Sequence, residues 1–216
     1  MRNTAYDYSG YEELFSDPQV PRVLGAIKAV AKKLGKIRWY VVGGSATFLH
    51  TRNPPEDEPD IDILIDAPVE RAKRFVMALL NRHGFSQVIY DASEKDIFAT
   101  LQYGTNGIKL DLFTSHEQPR GLATVTRRGV PLEPVEYLII EKLIRPRWED
   151  ILMVIDLLAR AKPNLPVLYR IAEQHGPEIV KRLLDTRKLF IMSMRVSADR
   201  IKREAQRLAE RYELEG

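Results

Sequence analysis

The chain has 216 residues, 44% of them apolar, which is material for one ordinary domain with an appendage or for two small ones and excludes a disordered chain. Its 33 basic and 30 acidic side chains leave a net +3, a field too weak to argue for nucleic acid by charge alone. Cysteine is absent, which rules out disulfide scaffolds, thiolate zinc sites and thiol nucleophiles, and fits a reducing cytoplasm.

In chain order, Asp17-Pro18 reads as a helix start, and Val20, Val23, Leu24, Ile27, Val30 and Ala31 share one helical face up to about Leu34, with Gly35 as the stop. Ile37 to Val42 is β-branched and aromatic, hence a strand. Gly43-Gly44-Ser45 follows, then a short helix from Ala46 to His50. Thr51 to Pro59 combines prolines and acids and reads as a loop. Asp60 to Asp66 alternates apolar and acidic residues, the pattern of a strand with two different faces. Pro68 opens a helix to about Arg82. Strands are predicted over Phe85–Tyr90, Asp96–Tyr103 and Ile108–Phe113, with Asn106-Gly107 as the hairpin signal between the last two. A weaker strand covers Ala123 to Arg127.

From Pro134 onward the pattern is helical, over about 134–144, 148–161, 165–174 and 177–213, with a break near Ser193–Ser197. The reading is therefore an α+β chain: a mixed β-sheet with helices packed on it over residues 1–130, then an all-helical part over 131–216. No apolar run approaches the ~20 residues of a membrane span. The opening MRNTAYDYSGYEELF is polar and acidic, unlike a signal peptide. The four histidines are scattered, which disfavours a histidine metal site. The expectation is a cytoplasmic protein without a membrane partner.

Three features carry chemistry. Paired glycines at a strand-to-helix junction let a ligand approach the backbone, and the helix start offers unpaired N–H groups and a positive dipole end. Gly43, Gly44 and Ser45 thus read as a phosphate cradle, or more blandly as a turn needing positive φ. Asp60 and Asp62 are i and i+2 on one strand, so their carboxylates share a face while Ile61, Ile63 and Ile65 take the other. Paired carboxylates repel, and a hard cation such as Mg²⁺ relieves the repulsion; a solvated edge face is the alternative. Asp111 repeats the arrangement between Leu110 and Leu112. Three converging carboxylates can hold two Mg²⁺ ions that activate a hydroxyl and stabilise departing pyrophosphate.

Gly43-Gly44-Ser45, then Asp60-x-Asp62, then Asp111 in an apolar strand resembles the nucleotidyltransferase superfamily, over residues 37–113. That fold is shared by DNA polymerase beta, kanamycin nucleotidyltransferase and the minimal nucleotidyltransferases. Within it, VVGGSATFLH, DIDILID, IKLDLF, EYLIIEKL and RPRWEDILMVIDLL are similar to the AbiEii-type group, toxins of phage-defence and toxin–antitoxin systems, which extends the likeness to about residue 160. The resemblance implies an enzyme that moves an NMP from an NTP to an acceptor hydroxyl on a protein, a tRNA or a small molecule, with Mg²⁺ (or Mn²⁺) as cofactor. It implies that Gly43, Gly44 and Ser45 hold phosphates, that Asp60, Asp62 and Asp111 are the catalytic metal ligands, and that Lys142 contacts the nucleotide. Asp150 falls where the group places an acidic residue. A second reading is a catalytically silent binding or regulatory module, such as a toxin–antitoxin component. The acidic loop before Asp60 and the C-terminal helix favour it.

Other residues have plainer readings. Asp66 is expected to cap the following helix, and Asp96 is a weaker candidate for the third carboxylate. Lys109 shares the face of Asp111 and reads as counter-charge, nucleotide contact or solvated lysine. Trp39 and Tyr40 read as core, Arg127-Arg128 as a surface turn, and Arg145 and Arg147 as partners of Glu149 and Asp150 or as ligand contacts. Met194, Ala198, Ile201, Ala205, Leu208 and Tyr212 form a helical seam that packs on its own body or on a dimer or partner helix.

Overall fold

The computed structural model describes residues 19–35, 37–52, 60–82, 84–89, 97–104, 107–114, 125–127, 129–144 and 146–215. They form two compact units, Met1–Glu133 and Pro134–Gly216.

The first unit is built on one mixed sheet. Its elements are α1 (Gln19–Lys33), β1 (Arg38–Val41), α2 (Gly43–Thr51), β2 (Ile61–Asp66), α3 (Val69–Arg82), β3 (Phe85–Ile89), β4 (Ile97–Tyr103), β5 (Lys109–Thr114), β6 (Val125–Arg127) and β7 (Val130–Leu132). The seven strands run in the order β3-β4-β5-β2-β1-β7-β6. β2 pairs parallel with β5, and β1 parallel with β7; the other neighbours are antiparallel.

Alternation in the sequence decides which side of the sheet is dry. Ile61, Ile63 and Ile65 of β2 and Leu110 and Leu112 of β5 are fully buried, as is Leu101 of β4. α1 buries the six-residue face expected of it, and α3 buries Ala72, Phe75, Val76 and Leu79; the two helices pack on each other. Burying one such aliphatic side chain contributes ~1.5–3 kcal/mol, so this layer is the main source of the unit's stability. Gly35, with φ +84°, ends α1 as expected. Trp39 and Tyr40 are both buried, which is the packing role expected of them.

Three details depart from the sequence reading. α2 begins at Gly43, three residues before the expected start, so the glycines form its first turn rather than a loop ahead of it. β7 was not foreseen: three residues with proline in the middle carry no periodic signal, yet Val41 pairs with Leu132 and β6 with β7 in a hairpin turning at Gly129, φ +81°. Arg127 is the last residue of β6, next to the turn at Gly129, which agrees with the turn expected there; Arg128 lies outside the described residues. Asp66 does not cap α3, because the helix starts at Val69; its carboxylate pairs with Arg38 across β1–β2 at 2.7 Å. The Asp17-Pro18 start, the loop through Pro59, Asp96 and Asn106 lie outside the described residues.

The second unit is helical: α4 (Val135–Ile144), α5 (Trp148–Arg160), α6 (Leu165–His175), α7 (Pro177–Ser193) and α8 (Ala198–Glu215). Asn164 caps α6 by accepting from the Val167 N–H, with Pro166 in the first turn. The long C-terminal pattern breaks between Ser193 and Ala198, where it was expected to. Four of the six seam residues, Ile201, Ala205, Leu208 and Tyr212, are buried within the unit in one cluster with Ile151 and Ile155 of α5, while Met194 and Ala198 are exposed. Among the described residues no helix is long and apolar enough to cross a membrane.

Candidate active site

The antiparallel register of β1 and β2 brings the sequence features together. Val41 faces Ile63, and the Val42 N–H donates to the Asp62 carbonyl at 3.0 Å. The end of β1 therefore meets the start of β2, and Gly43-Gly44-Ser45 arrives beside Asp60 and Asp62. On the other side, the parallel register of β2 and β5 sets Asp62 directly opposite Asp111. One sheet face thus carries Asp60, Asp62, Lys109 and Asp111. Further along the same face Tyr40, Val42 and Leu64 form a small apolar cluster with Phe113 against it.

The two glycines differ. Gly43 has φ +60°, and a Cβ there would overlap the Asp62 carboxylate. Both facts require glycine for the fold. Gly44 has neither constraint: a Cβ would stand in open space, with no heavy atom within 4 Å. Glycine near a helix start costs up to ~1 kcal/mol relative to alanine, and nothing in the surrounding packing demands it at Gly44. Val42 is the N-cap residue of α2 and supplies no side-chain cap. The first intrahelical bond is Ala46 N–H to Val42 carbonyl, so the N–H groups of Gly43, Gly44 and Ser45 precede the ladder. The expected hydroxyl donor is placed differently: Ser45 is buried and its Oγ donates to the Asp60 carbonyl at 2.8 Å. Ser45 ties α2 to the start of β2, and only its backbone N–H remains to serve a phosphate.

The carboxylates are held unequally. Asp60 is exposed, Asp111 largely covered, and Lys109 about half exposed. The Lys109 ammonium donates to Asp111 Oδ2 at 2.8 Å and to Asp60 Oδ2 at 3.0 Å. The hydrogen bonds to Asp111 and then Asp60 raise the Lys109 pKa above its ordinary value. Thr100 donates to Asp111 Oδ1 at 2.5 Å. Thr100 escaped the sequence reading because only the β4–β5 register sets it opposite Asp111.

As a donor set, all-oxygen carboxylates suit a hard divalent ion. Asp60 and Asp111 demonstrably reach one cation, since they share Lys109. Yet among the described residues no three His, Cys, Asp or Glu side chains gather as a metal-holding group. The expected three-carboxylate cage is thus not assembled by protein alone.

Lys142 and Asp150 lie in the helical unit and bind each other: Lys142 Nζ is 3.2 Å from Asp150 Oδ1, both nearly covered. Asp150 also accepts from the backbone N–H and Nε of Arg147 at the start of α5. Lys142, for which the resemblance implied a nucleotide contact, is in this structure engaged by Asp150. The same unit has a cleft of about 540 Å³ lined by Ile144, Arg147, His175, Glu178, Arg182 and Tyr212. Its buried Arg182 donates to the carbonyls of Leu143 and Ile144, so this guanidinium caps α4.

No protein-family model and no curated protein matches the chain. Solved structures do. An H. pylori protein assigned as a nucleotidyltransferase matches at TM-score 0.50 and 16% identity, over 90% of this chain and 94% of that one. A nucleotidyltransferase-like protein from Paracoccidioides brasiliensis matches at 0.48 and 17%, over 84% and 92%. ANT(2")-Ia, solved with adenylyl-2"-tobramycin, matches at 0.43 and 14%, over 88% and 97%. The first of these establishes that the chain has the nucleotidyltransferase fold, an α+β architecture.

Proposed function

We propose that the chain is a nucleotidyltransferase that moves a nucleoside monophosphate from an NTP to an acceptor hydroxyl. The acceptor hydroxyl gives its proton to the bordering Asp111 carboxylate or to water as its oxygen bonds to the α-phosphorus, the bond from that phosphorus to the α–β bridging oxygen breaks, and pyrophosphate leaves with that electron pair. The observation that carries the reading is the register of three strands. It sets an uncapped glycine-led helix start, Asp62 and Asp111 side by side on one face.

In this reading the N–H groups at the start of α2 receive the triphosphate, and the open space above Gly44 is where it approaches. Ser45 holds the Asp60 backbone in place. Asp60 and Asp62 supply oxygens for Mg²⁺ (or Mn²⁺), and Asp111 borders the acceptor. When bound, such an ion neutralises the triphosphate and the charge that develops on the leaving pyrophosphate. Positioning and charge neutralisation account for most of the catalysis in phosphoryl-type transfer. The acceptor class, whether protein, tRNA or small molecule, is set by surfaces outside this constellation.

The test avoids the acceptor. Each NTP is titrated calorimetrically with Mg²⁺ into the full chain and into Asp60→Asn/Asp62→Asn. Metal-dependent binding of at least one NTP, lost in the double variant, is expected. No binding of any NTP by the wild-type chain would remove the enzyme reading in favour of a silent module.

A further inference from the structure

We propose that the cleft of the helical unit is a second ligand site, built to take the carboxylate of a small apolar organic acid. It is independent of the transfer reading, because no residue of the sheet-face site lines it.

The donors come first. α7 starts at Gly176 without a side-chain cap, and its first intrahelical bond runs from the Val180 N–H to the Gly176 carbonyl. Pro177 has no N–H. The N–H groups of Glu178 and Ile179, both residues of the cleft wall, therefore precede the ladder at the positive end of the helix dipole. A helix start is not by itself a site. The second observation is Arg182, one turn further along α7, which lines the same cleft and is only 6% exposed. Its Nη1 donates to the Leu143 and Ile144 carbonyls and its Nη2 to Glu178. The Tyr212 ring lies against the guanidinium, its centroid 5.0 Å from Cζ. The Nε–H is left buried with no hydrogen-bond partner. Buried donors are nearly always paired, so an orphaned one in the wall of a cleft calls for an acceptor. Arg147 adds a third source: its Nε is held by Asp150, and its exposed terminal nitrogens border the cleft.

The rest of the lining selects among oxyanions. Ile144, Pro146 and Ile179 give the cleft an apolar wall, and Ile144 leaves 40% of its surface uncovered. The volume of about 540 Å³ lies in the range of small-molecule pockets. Two carboxylates border the same space. Glu178 is neutralised by Arg182, whereas Glu213, near the end of α8, is exposed. A phosphate dianion brings twice the repulsion from Glu213 that a carboxylate brings. A single negative charge on an apolar body satisfies the donors, covers the wall and meets the smaller penalty.

The test follows the orphaned donor. The full chain, labelled with ¹³C and ¹⁵N, is titrated separately with sodium 4-methylvalerate, 4-methylpentanol and inorganic phosphate. The Arg182 Nε–H signal, assigned through its own side-chain carbons, is read by proton–nitrogen correlation. 4-Methylvalerate should bind saturably and move that proton downfield. The uncharged alcohol and phosphate should each bind about tenfold more weakly. Arg147→Gln should weaken 4-methylvalerate binding about fivefold, and Glu213→Gln should narrow its margin over phosphate. Both side chains are exposed, and circular dichroism checks that each variant is folded before titration. No saturable binding of 4-methylvalerate, or binding that leaves the Arg182 Nε–H signal unmoved, would overturn the inference. So would phosphate or the alcohol binding as tightly as the acid.

Discussion

Two of the lysine–aspartate clusters among the described residues are built from the same chemistry and set in opposite surroundings. Lys109 with Asp60 and Asp111 sits on an open sheet face, half exposed, its geometry imposed by strand register. Lys142 with Asp150 sits among helices, each side chain about nine-tenths covered, with Arg147 closing the far side. A buried pair has nowhere to go: separating it leaves a charge in low dielectric, so its role is to hold α4 and α5 together. An open pair can exchange one partner for a ligand at little cost. Burial, more than residue type, separates the structural cluster from the one available for chemistry.

The largest way to break that contrast is to remove one partner of the covered pair. Asp150→Ala strands Lys142 and takes away the acceptor at the start of α5, and should cost ~3–5 kcal/mol of the helical unit's stability. Denaturant melts read this, and Lys142→Met/Asp150→Leu should recover most of the loss. If Asp150→Ala melts like wild type, the pair is not structural and the contrast fails. The next effect is on binding. Asp62→Asn should lower metal-dependent NTP affinity by about a hundredfold, ~2.7 kcal/mol, with little change in melting temperature. A variant that unfolds instead would make Asp62 a structural residue.

The two glycines sharpen the comparison further. Gly44→Ala should stabilise the α/β unit by up to ~1 kcal/mol, because alanine is favoured in a helix and its Cβ meets nothing. It should also weaken NTP binding about tenfold by narrowing the approach to the backbone. Stability and binding moving in opposite directions is the signature of a residue kept for a ligand. Gly43→Ala should lower both, since its positive φ and the Asp62 carboxylate leave no room.

These contrasts also show how far the sequence could be read. Strand alternation in Asp60–Asp66 and Ile108–Phe113 was enough to place the acids on one face and the isoleucines and leucines on the other, because the period-2 signal is local. The six-residue apolar face of α1 was legible for the same reason. What distinguished Gly43 from Gly44 was not: that needs the position of Asp62, nineteen residues away, relative to the helix start. Ser45 looked like a ligand hydroxyl until the fold supplied a nearer acceptor, the Asp60 carbonyl. Lys142 was assigned by likeness alone, and its burial against Asp150 is a property of helix packing that no motif encodes. β7 was invisible because Val130-Pro131-Leu132 is a strand only through β1 and β6, its neighbours.

The smallest expected effect compares the two units directly. Burial raises the pKa of Tyr40 in the sheet unit, with Arg38 opposing, and burial followed by Glu136 raises that of Tyr137 in the helical unit. A tyrosine whose pKa is higher in the folded state than in the unfolded one keeps its proton longer when folded. Below its unfolded value, ~10, it contributes no pH dependence. As the pH rises from there toward the raised folded value, the unfolded chain ionises first and stability falls. Tyr40→Phe and Tyr137→Phe should each flatten the alkaline decline seen in urea melts between pH 9 and pH 11. In Tyr40→Phe the apolar cluster with Val42 and Leu64 keeps its ring, so stability at pH 7 should change little. An alkaline decline that both variants leave untouched would mean that neither ring is shielded from water, and that the apolar stretch of the site face is wetter than its packing indicates.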